Sequence, residues 1–370
     1  MPIINGTANG ETLNGTSGQD IILGQGGDDS LFAFADDDLL DGGEGSDSMS
    51  GGTGNDRYVI DDPLDAIVES AGEGDDWLHS SVSYTLGAGV GIEVMTTINA
   101  ASTAAINLTG NELGQSIYGN AGANWLSGGG GSDYLVGLEG NDMLDGGEGS
   151  DNMAGGTGND RYVVGNPLDA IFESAGEGDD WLHSSISYIL GTGVGIEVMT
   201  TMNAASTATQ HLTGNELGQS IYGSAGENWL SGGGGSDYLV GLEGNDILWG
   251  GSGDDFLAGG AGADVFSFNP NDGASVDLIT DFESGTDKIN LGHFLGSQQI
   301  IFVGGRPFSG RSGEGRFLNG KFELDVDGDG RPELTVMVQG TVAAGDFVFR
   351  DDVGYGTGGW DGSGSGWWDY

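Results

Sequence analysis

Cysteine is missing from this 370-residue chain, which removes disulfides, thiolate metal sites and cysteine nucleophiles together. Positive charge is nearly missing as well. Two lysines (Lys288, Lys321) and seven arginines face 57 acids, for a formal net charge of −48. That balance argues against nucleic acid or an anionic membrane as a partner. There are only six prolines and no G-X-Y period, so collagen is excluded. No stretch approaches the ~18 apolar residues of a membrane helix. The N-terminal MPIINGTANGETLNG has neither a basic n-region nor an apolar h-region, so no cleavable signal peptide is visible. What is abundant is glycine, with 77 residues, far above the roughly 7% of ordinary proteins. With 36% hydrophobic residues, 14 Phe, 10 Tyr and 8 Trp, the chain is too apolar for a purely disordered acidic polymer. A folded chain with this charge requires a cation.

Internal repeats decide the fold. Nonamers run without a gap over Gly6–Val59, Gly110–Val163 and Gly214–Ser267, six in each array, with good copies in GGEGSDSMS (from Gly42), GGGGSDYLV (from Gly128) and GGAGADVFS (from Gly259). The eighth position is apolar in all eighteen. The sixth is Asp in thirteen: Asp20, Asp29, Asp38, Asp47, Asp56, Asp133, Asp142, Asp151, Asp160, Asp237, Asp246, Asp255 and Asp264. The exceptions open each array, with Glu11, then Gln115 and Asn124, then Gln219 and Asn228. A second period of 104 lies over the first. Residues 55–158 and 159–262 agree at 84 of 104 positions. The spacer inside this unit clusters β-formers (AIVES, WLHSSVSYTL, GIEVMTTI) between glycine turns and reads as more strand. It holds a further nonamer, AGEGDDWLH, twice, which supplies Asp76 and Asp180. The expected organisation is an array in 1–59, a spacer in 60–109, an array in 110–163, a duplicate spacer in 164–213 and an array in 214–267. A C-terminal segment in 268–349 and a Gly/Trp/Asp-rich tail in 350–370 follow.

Each nonamer has a direct physical reading. Six glycine-rich residues turn the chain, since glycine accepts positive φ without a Cβ clash. Three residues then make a minimal strand whose alternation sends only the eighth side chain inward. Two nonamers make one flattened coil, and coils stack about 4.8 Å apart through parallel ladders. The predicted fold is therefore all-β, a parallel β-roll solenoid. Stacking brings aspartates eighteen apart together. At ~4.8 Å, two carboxylates repel by roughly 1 kcal/mol in water and about 3.5 kcal/mol at an effective dielectric of 20. Nine such pairs cost on the order of 10–30 kcal/mol, against a typical domain stability of 5–15. Without a cation the roll should not form. Carboxylates and turn carbonyls are hard oxygen ligands that suit Ca²⁺, with no thiolate or imidazole to favour zinc or copper.

The nonamers resemble the RTX (repeats-in-toxin) family of Ca²⁺-binding β-rolls. The resemblance implies that the carbonyls of the second and fourth turn residues, with the Asp of one repeat, share an ion with carbonyls and the Asp two repeats later. Carried over, the turn ligands include Gly43, Gly45, Gly52, Gly54, Gly147, Gly149, Gly156, Gly158, Gly251 and Gly253. The aspartate pairs are 20/38, 29/47, 38/56, 133/151, 142/160, 237/255 and 246/264, joined by 56/76 and 160/180. That makes about nine strong calcium sites. Residues 268–349 are similar to the C-terminal segment of serralysin-type secreted metalloproteases, which implies a cap on the roll and a signal for a type I secretion apparatus. Asp325, Asp327 and Asp329 with Gly330 look like the start of an EF-hand loop, but Val336 stands where a bidentate Glu belongs. A polar hairpin turn is the favoured reading there.

No catalytic constellation is visible. H-E-x-x-H and G-x-S-x-G are absent, and the four histidines (His79, His183, His211, His293) are scattered and read as ordinary residues. Arg57 and Arg161 should pair locally with acids. The seventh position should face outward, yet it holds Trp125, Tyr134, Trp229, Tyr238 and Phe256, with Trp77 and Trp181 in the spacer nonamers. Either these rings are covered by spacers or a neighbouring array, or they form an exposed face for self-association or for stacking on polysaccharide. The sequence thus favours a secreted, non-catalytic, calcium-folded extracellular scaffold. The alternative is the folding and export module of a secreted enzyme, or an accessory to one.

Overall fold

The computed structural model describes residues 1–273, 275–295 and 300–349. The readings of the tail, including Trp360, Trp367 and Trp368, and of the His293 side chain lie outside the described residues and side chains. The chain divides into two compact units, Met1–Ile186 with Gly193–Val198, and Ser187–Thr192 with the residues from Met199 onward.

In the first unit, ten short strands from Ile3–Asn5 to Ala170–Ile171 form one sheet in which neighbours are alternate strands of the chain. Every pairing in it is parallel, because the chain visits a second sheet before it returns. Ile3, Ile4 and Asn5 pair with Ile21, Ile22 and Leu23, a step of eighteen residues or two nonamers. Thr12–Asn14, Ser30–Ala35, Ser48–Thr53 and Ala66–Ile67 form a facing four-stranded sheet. The spacer adds strands rather than interrupting them. Arg57–Ile60 pairs with Trp77–Ser80 across a step of twenty, and Trp77–Ser80 with Val94–Thr97 across seventeen. In the second unit, seven strands from Tyr188–Ile189 to Phe347–Val348 form one sheet. Opposite runs Ser220–Tyr222, Tyr238–Glu243, Phe256–Ala261 and Val276–Ile279. There Leu334–Val338 joins in parallel, and Lys321–Asp325 and Glu314–Leu318 continue antiparallel. This is a parallel β-solenoid with almost no helix. Among the described residues the sole α-helical turn is Gly292–Leu295.

The core is the eighth position. From Ile22 and Leu31 through Tyr162 to Phe266, seventeen of the eighteen are fully buried, and Leu13 at the N-terminal edge is half-buried. Each inward side chain stacks on its counterpart one coil away, so burial repeats with the coil. Several strands run longer than three residues. Trp125–Gly130 and Tyr134–Glu139 span six, because the stacked turns keep pairing, as Gly129 does with Gly147.

Candidate metal centre

The sixth-position aspartates point inward at the coil corners and stack into ladders. The backbone N–H of Asp20 donates to Asp38 Oδ1 at 2.6 Å, Asp29 to Asp47 at 2.7 Å, and Asp38 to Asp56 at 2.8 Å. The second array repeats this in Asp133 to Asp151 at 2.9 Å and Asp142 to Asp160 at 2.7 Å. In the third, Asp237 donates to Asp255 and Asp246 to Asp264, both at 2.9 Å. The longer spacer steps keep the same bond, from Asp56 to Asp76 at 2.8 Å and from Asp160 to Asp180 at 2.7 Å. All fifteen aspartates singled out in the sequence are buried.

One oxygen of each is left over. Oδ1 of Asp20 and Oδ2 of the other fourteen are buried without any hydrogen-bond donor. A buried carboxylate oxygen without a partner is strongly destabilising. Cationic side chains do not compensate. The ion pairs among the described residues join Lys288 to Asp346, Arg316 to Glu323 and Lys321 to Glu323, and none involves these fifteen. Burial accordingly favours the neutral acid. It pushes Asp133, Asp142, Asp237 and Asp246 up to about 7, with the coil neighbour's charge adding to the effect and the backbone N–H bond opposing it. Asp38, Asp47, Asp56, Asp76, Asp180, Asp255 and Asp264 rise to about 6, again chiefly by burial.

The turn glycines complete the corner. At Gly149, φ is +139°, and a Cβ there would collide with the carbonyl oxygen of Gly131, eighteen residues earlier. The same positive φ and the same approach to the carbonyl eighteen back recur at Gly43, Gly45, Gly52, Gly54, Gly147, Gly156, Gly158, Gly251 and Gly253. Backbone oxygens of successive turns are thereby stacked beside the carboxylates. Only oxygen donors converge, as a Ca²⁺ site requires.

Several ladder members escaped the sequence reading. Asp65 and Asp169 accept from Asp47 and Asp151 at 3.0 and 3.1 Å. Their spacing of eighteen was the available signal, obscured where the glycine frame breaks. Asp277 and Asp287 accept from Asp255 and Asp264 at 3.1 Å, but across 22 and 23 residues, which no period announces. Glu93 and Glu197 end the spacer ladders, each at 2.7 Å. Asp65 differs from the fifteen because its Oδ2 takes the N–H groups of Asp61 and Asp62 in its own turn, at 3.4 and 3.3 Å.

The other singled-out residues fall into place individually. Asp325, Asp327, Asp329 and Glu333 bring carboxylate oxygens within 4.8 Å of one another in a hairpin connection, where Asp325 already accepts from Gly328 and Gly330 at 2.7 and 2.9 Å. Neither Arg57 nor Arg161 is in an ion pair with an acid, contrary to expectation. Arg161 lies 6.0 Å from the ring centroid of Trp181, since both occupy outward strand positions in adjacent coils. His79 is an ordinary strand residue with Nδ1 2.9 Å from Thr96 Oγ1. The seventh-position rings stand in solvent. Trp125 is 52% and Phe256 48% exposed, and Trp77, Tyr134, Trp181 and Tyr238 are exposed too, while Trp229 is half-buried. No helix among the described residues is long and apolar enough to cross a membrane.

No curated protein matches the chain at a significant level. The RTX calcium-binding nonapeptide repeat, a four-copy unit, matches residues 5–33, 35–58, 109–144, 127–162, 213–248 and 231–266. These segments coincide with the aspartate ladders and their stacked glycine turns, and the three arrays of this chain are RTX calcium-binding nonapeptide repeats.

Proposed function

We propose that this protein is a secreted, non-catalytic scaffold that folds on binding Ca²⁺ outside the cell. About nine ions would sit between aspartates 20/38, 29/47, 38/56, 56/76, 133/151, 142/160, 160/180, 237/255 and 246/264. The carbonyls of the glycine turns would supply further ligands. The observation that carries this reading is the set of fifteen buried carboxylate oxygens without a donor. A divalent cation between coils would satisfy two at once and remove their repulsion. Because an unfolded chain has no preformed corner, the binding free energy would also be folding free energy. Cytosolic Ca²⁺ is too dilute for extracellular-type sites, so the chain would stay threadable where it is made and fold after export through a type I apparatus. Residues 268–349 would carry the export signal and cap the second unit's open ladder edge.

Far-UV circular dichroism of the full chain in chelator and in millimolar Ca²⁺ tests this. An extended spectrum in chelator, converting cooperatively to β with Ca²⁺ and poorly with Mg²⁺, is the expected result. A β-rich spectrum already present in chelator would refute it.

A second reading has its own observation, the rows of exposed and half-buried rings on successive coils. Tyr118 and Tyr134 lie 6.2 Å apart in the first unit, and Tyr222, Tyr238 and Phe256 are spaced at 6.1 and 6.5 Å in the second. Such a row fits stacking on polysaccharide or self-association better than it fits a covered face. A glycan array probed with and without Ca²⁺, alongside sedimentation velocity, separates these two uses.

A further inference from the structure

The last nonamers of the first and second arrays place tyrosine at the inward eighth position, where most repeats have an aliphatic residue. Tyr58 and Tyr162 are fully buried. Their hydroxyls accept the N–H of Gly51 at 2.8 Å and of Gly155 at 2.6 Å. Each hydroxyl then donates to Oε2 of a glutamate eleven residues on, Glu69 or Glu173. Both glutamates are only 6% exposed, and in both Oε1 has no donor. The aspartates beside Glu173 are also incomplete. Oδ2 of Asp160 and of Asp180 are buried without a donor, and carboxylate oxygens of Asp160, Glu173 and Asp180 lie within 4.8 Å of one another. The same residues recur 104 positions earlier as Asp56, Glu69 and Asp76, with the same three unpartnered oxygens, although only the second set brings all three carboxylates within 4.8 Å.

We infer that Asp160, Glu173 and Asp180 form a three-carboxylate Ca²⁺ site where the second array passes into its spacer. Asp56, Glu69 and Asp76 form its copy after the first array. The inference rests on the proposed calcium reading of the aspartate pairs and adds to it a ligand from outside the nonamer. The tyrosine occupies one glutamate oxygen, and the other, buried and without a donor, is left to bind an ion. Three buried anionic oxygens with no cationic side chain favour Ca²⁺, which tolerates irregular oxygen cages, over Mg²⁺, which holds its waters. A third carboxylate also raises affinity, since ligand charge count tunes calcium sites.

The exit of the third array has a different construction. Phe266 stands in the tyrosine's place, with its ring 6.1 Å from that of Phe282. Asp281 takes the turn N–H groups of Gly259 and Gly260 at 3.1 and 2.8 Å, one on each oxygen. No glutamate of that exit has a buried oxygen without a donor, so among the described residues there are two such sites and not three.

The test is a calcium titration of the full chain against a chromophoric chelator, with the double variant Glu69→Gln/Glu173→Gln beside wild type. Glutamine can still accept from the tyrosine, so the shape of the corner is kept. Wild type should show two ions tighter than the rest, and the double variant should weaken those two at least about tenfold. Glu139→Gln, at an exposed glutamate outside the aspartate ladders, should leave the two tight ions in place. An unchanged isotherm in a double variant with a wild-type circular dichroism spectrum would overturn the inference while the aspartate-pair reading stands. No calcium binding by wild type would remove both. If the double variant does not fold in Ca²⁺, wild-type crystals grown with Tb³⁺ decide the matter. An anomalous peak bonded to Glu173 supports the site, and peaks confined to the aspartate pairs overturn it.

Discussion

Asn124 and Asp142 occupy the same corner one coil apart, and they solve the same electrostatic problem in opposite ways. Asn124 Nδ2 donates to the carbonyl of Ile106, eighteen residues back, at 2.7 Å. Its Oδ1 accepts the N–H of Asn120 at 2.8 Å. Asn228 repeats this with Gln210 and Ser224 in the third array. Asp142 accepts the N–H of Asn124 but leaves Oδ2 buried with no donor. An amide carries its own donor, whereas a carboxylate at the same place must find positive charge elsewhere. The asparagine openers are thus steps whose polar atoms are satisfied within the protein, and the aspartate steps are the ones left with an unpartnered oxygen. In sequence the Gln and Asn openers depart from the aspartate pattern, and the hydrogen bonds of Asn124 and Asn228 give that departure a physical basis.

The largest expected effect comes from removing a carboxylate on the calcium side of this contrast. Asp142→Ala should weaken calcium binding by the second array at least about tenfold, measured by titration against a chelator. Asn124→Ala should leave ion number unchanged and instead cost about 1–3 kcal/mol of thermal stability, the penalty for orphaned buried polar groups. Equal losses of calcium affinity would break the comparison.

Exchanging the two chemistries sharpens it. Asp142→Asn should lower the number of bound ions yet raise residual β structure in chelator, since the amide can donate where the cation would sit. Circular dichroism in chelator is the readout, and no gain there would count against the amide argument.

Protons should imitate the cation more weakly. Asp133, Asp142, Asp237 and Asp246 rise to about 7 in the folded corner through burial, against an ordinary value of 3.8 in an unfolded chain. The folded state therefore binds more protons than the unfolded one between these values, and the stability of the calcium-free roll increases as pH falls through that window. In chelator, β structure should increase from pH 7 toward pH 4.5, and the same change should be small in saturating Ca²⁺.

The smallest effect concerns the turns. Leu138 has φ of +86° at a second position that is glycine in eight of the eighteen nonamers. Leu138→Gly should stabilise the calcium-loaded protein by about 0.5–1 kcal/mol, the left-handed cost of a side chain offset by glycine's larger entropy when unfolded. A thermal melt in Ca²⁺ measures it.

The nine-residue spacing and the apolar eighth position are enough to specify the coil, its step of eighteen, the parallel pairing and the stacked aspartates. Period and chemistry combine there, because a strand sends alternate residues inward and a repeat puts like beside like. The same logic reached Asp76 and Asp180, which keep a recognisable nonamer around them. It passed over Asp65 and Asp169, whose turns carry a proline and at most one glycine, and Asp277 and Asp287, whose coils are lengthened.

Only the tertiary structure brought Glu69 and Glu173 to the corner. In sequence they sit inside apparent β-forming runs, AIVES and AIFES, with no spacing that ties them to an aspartate. Three-dimensional packing also left the seventh-position rings in solvent, where the sequence allowed a covering. A regular repeat fixes neighbours by its period, but a spacer coil of 20 or 17 residues has no period to extend. Which side chain reaches a corner is then set by where the buried tyrosine and the returning strand place the backbone.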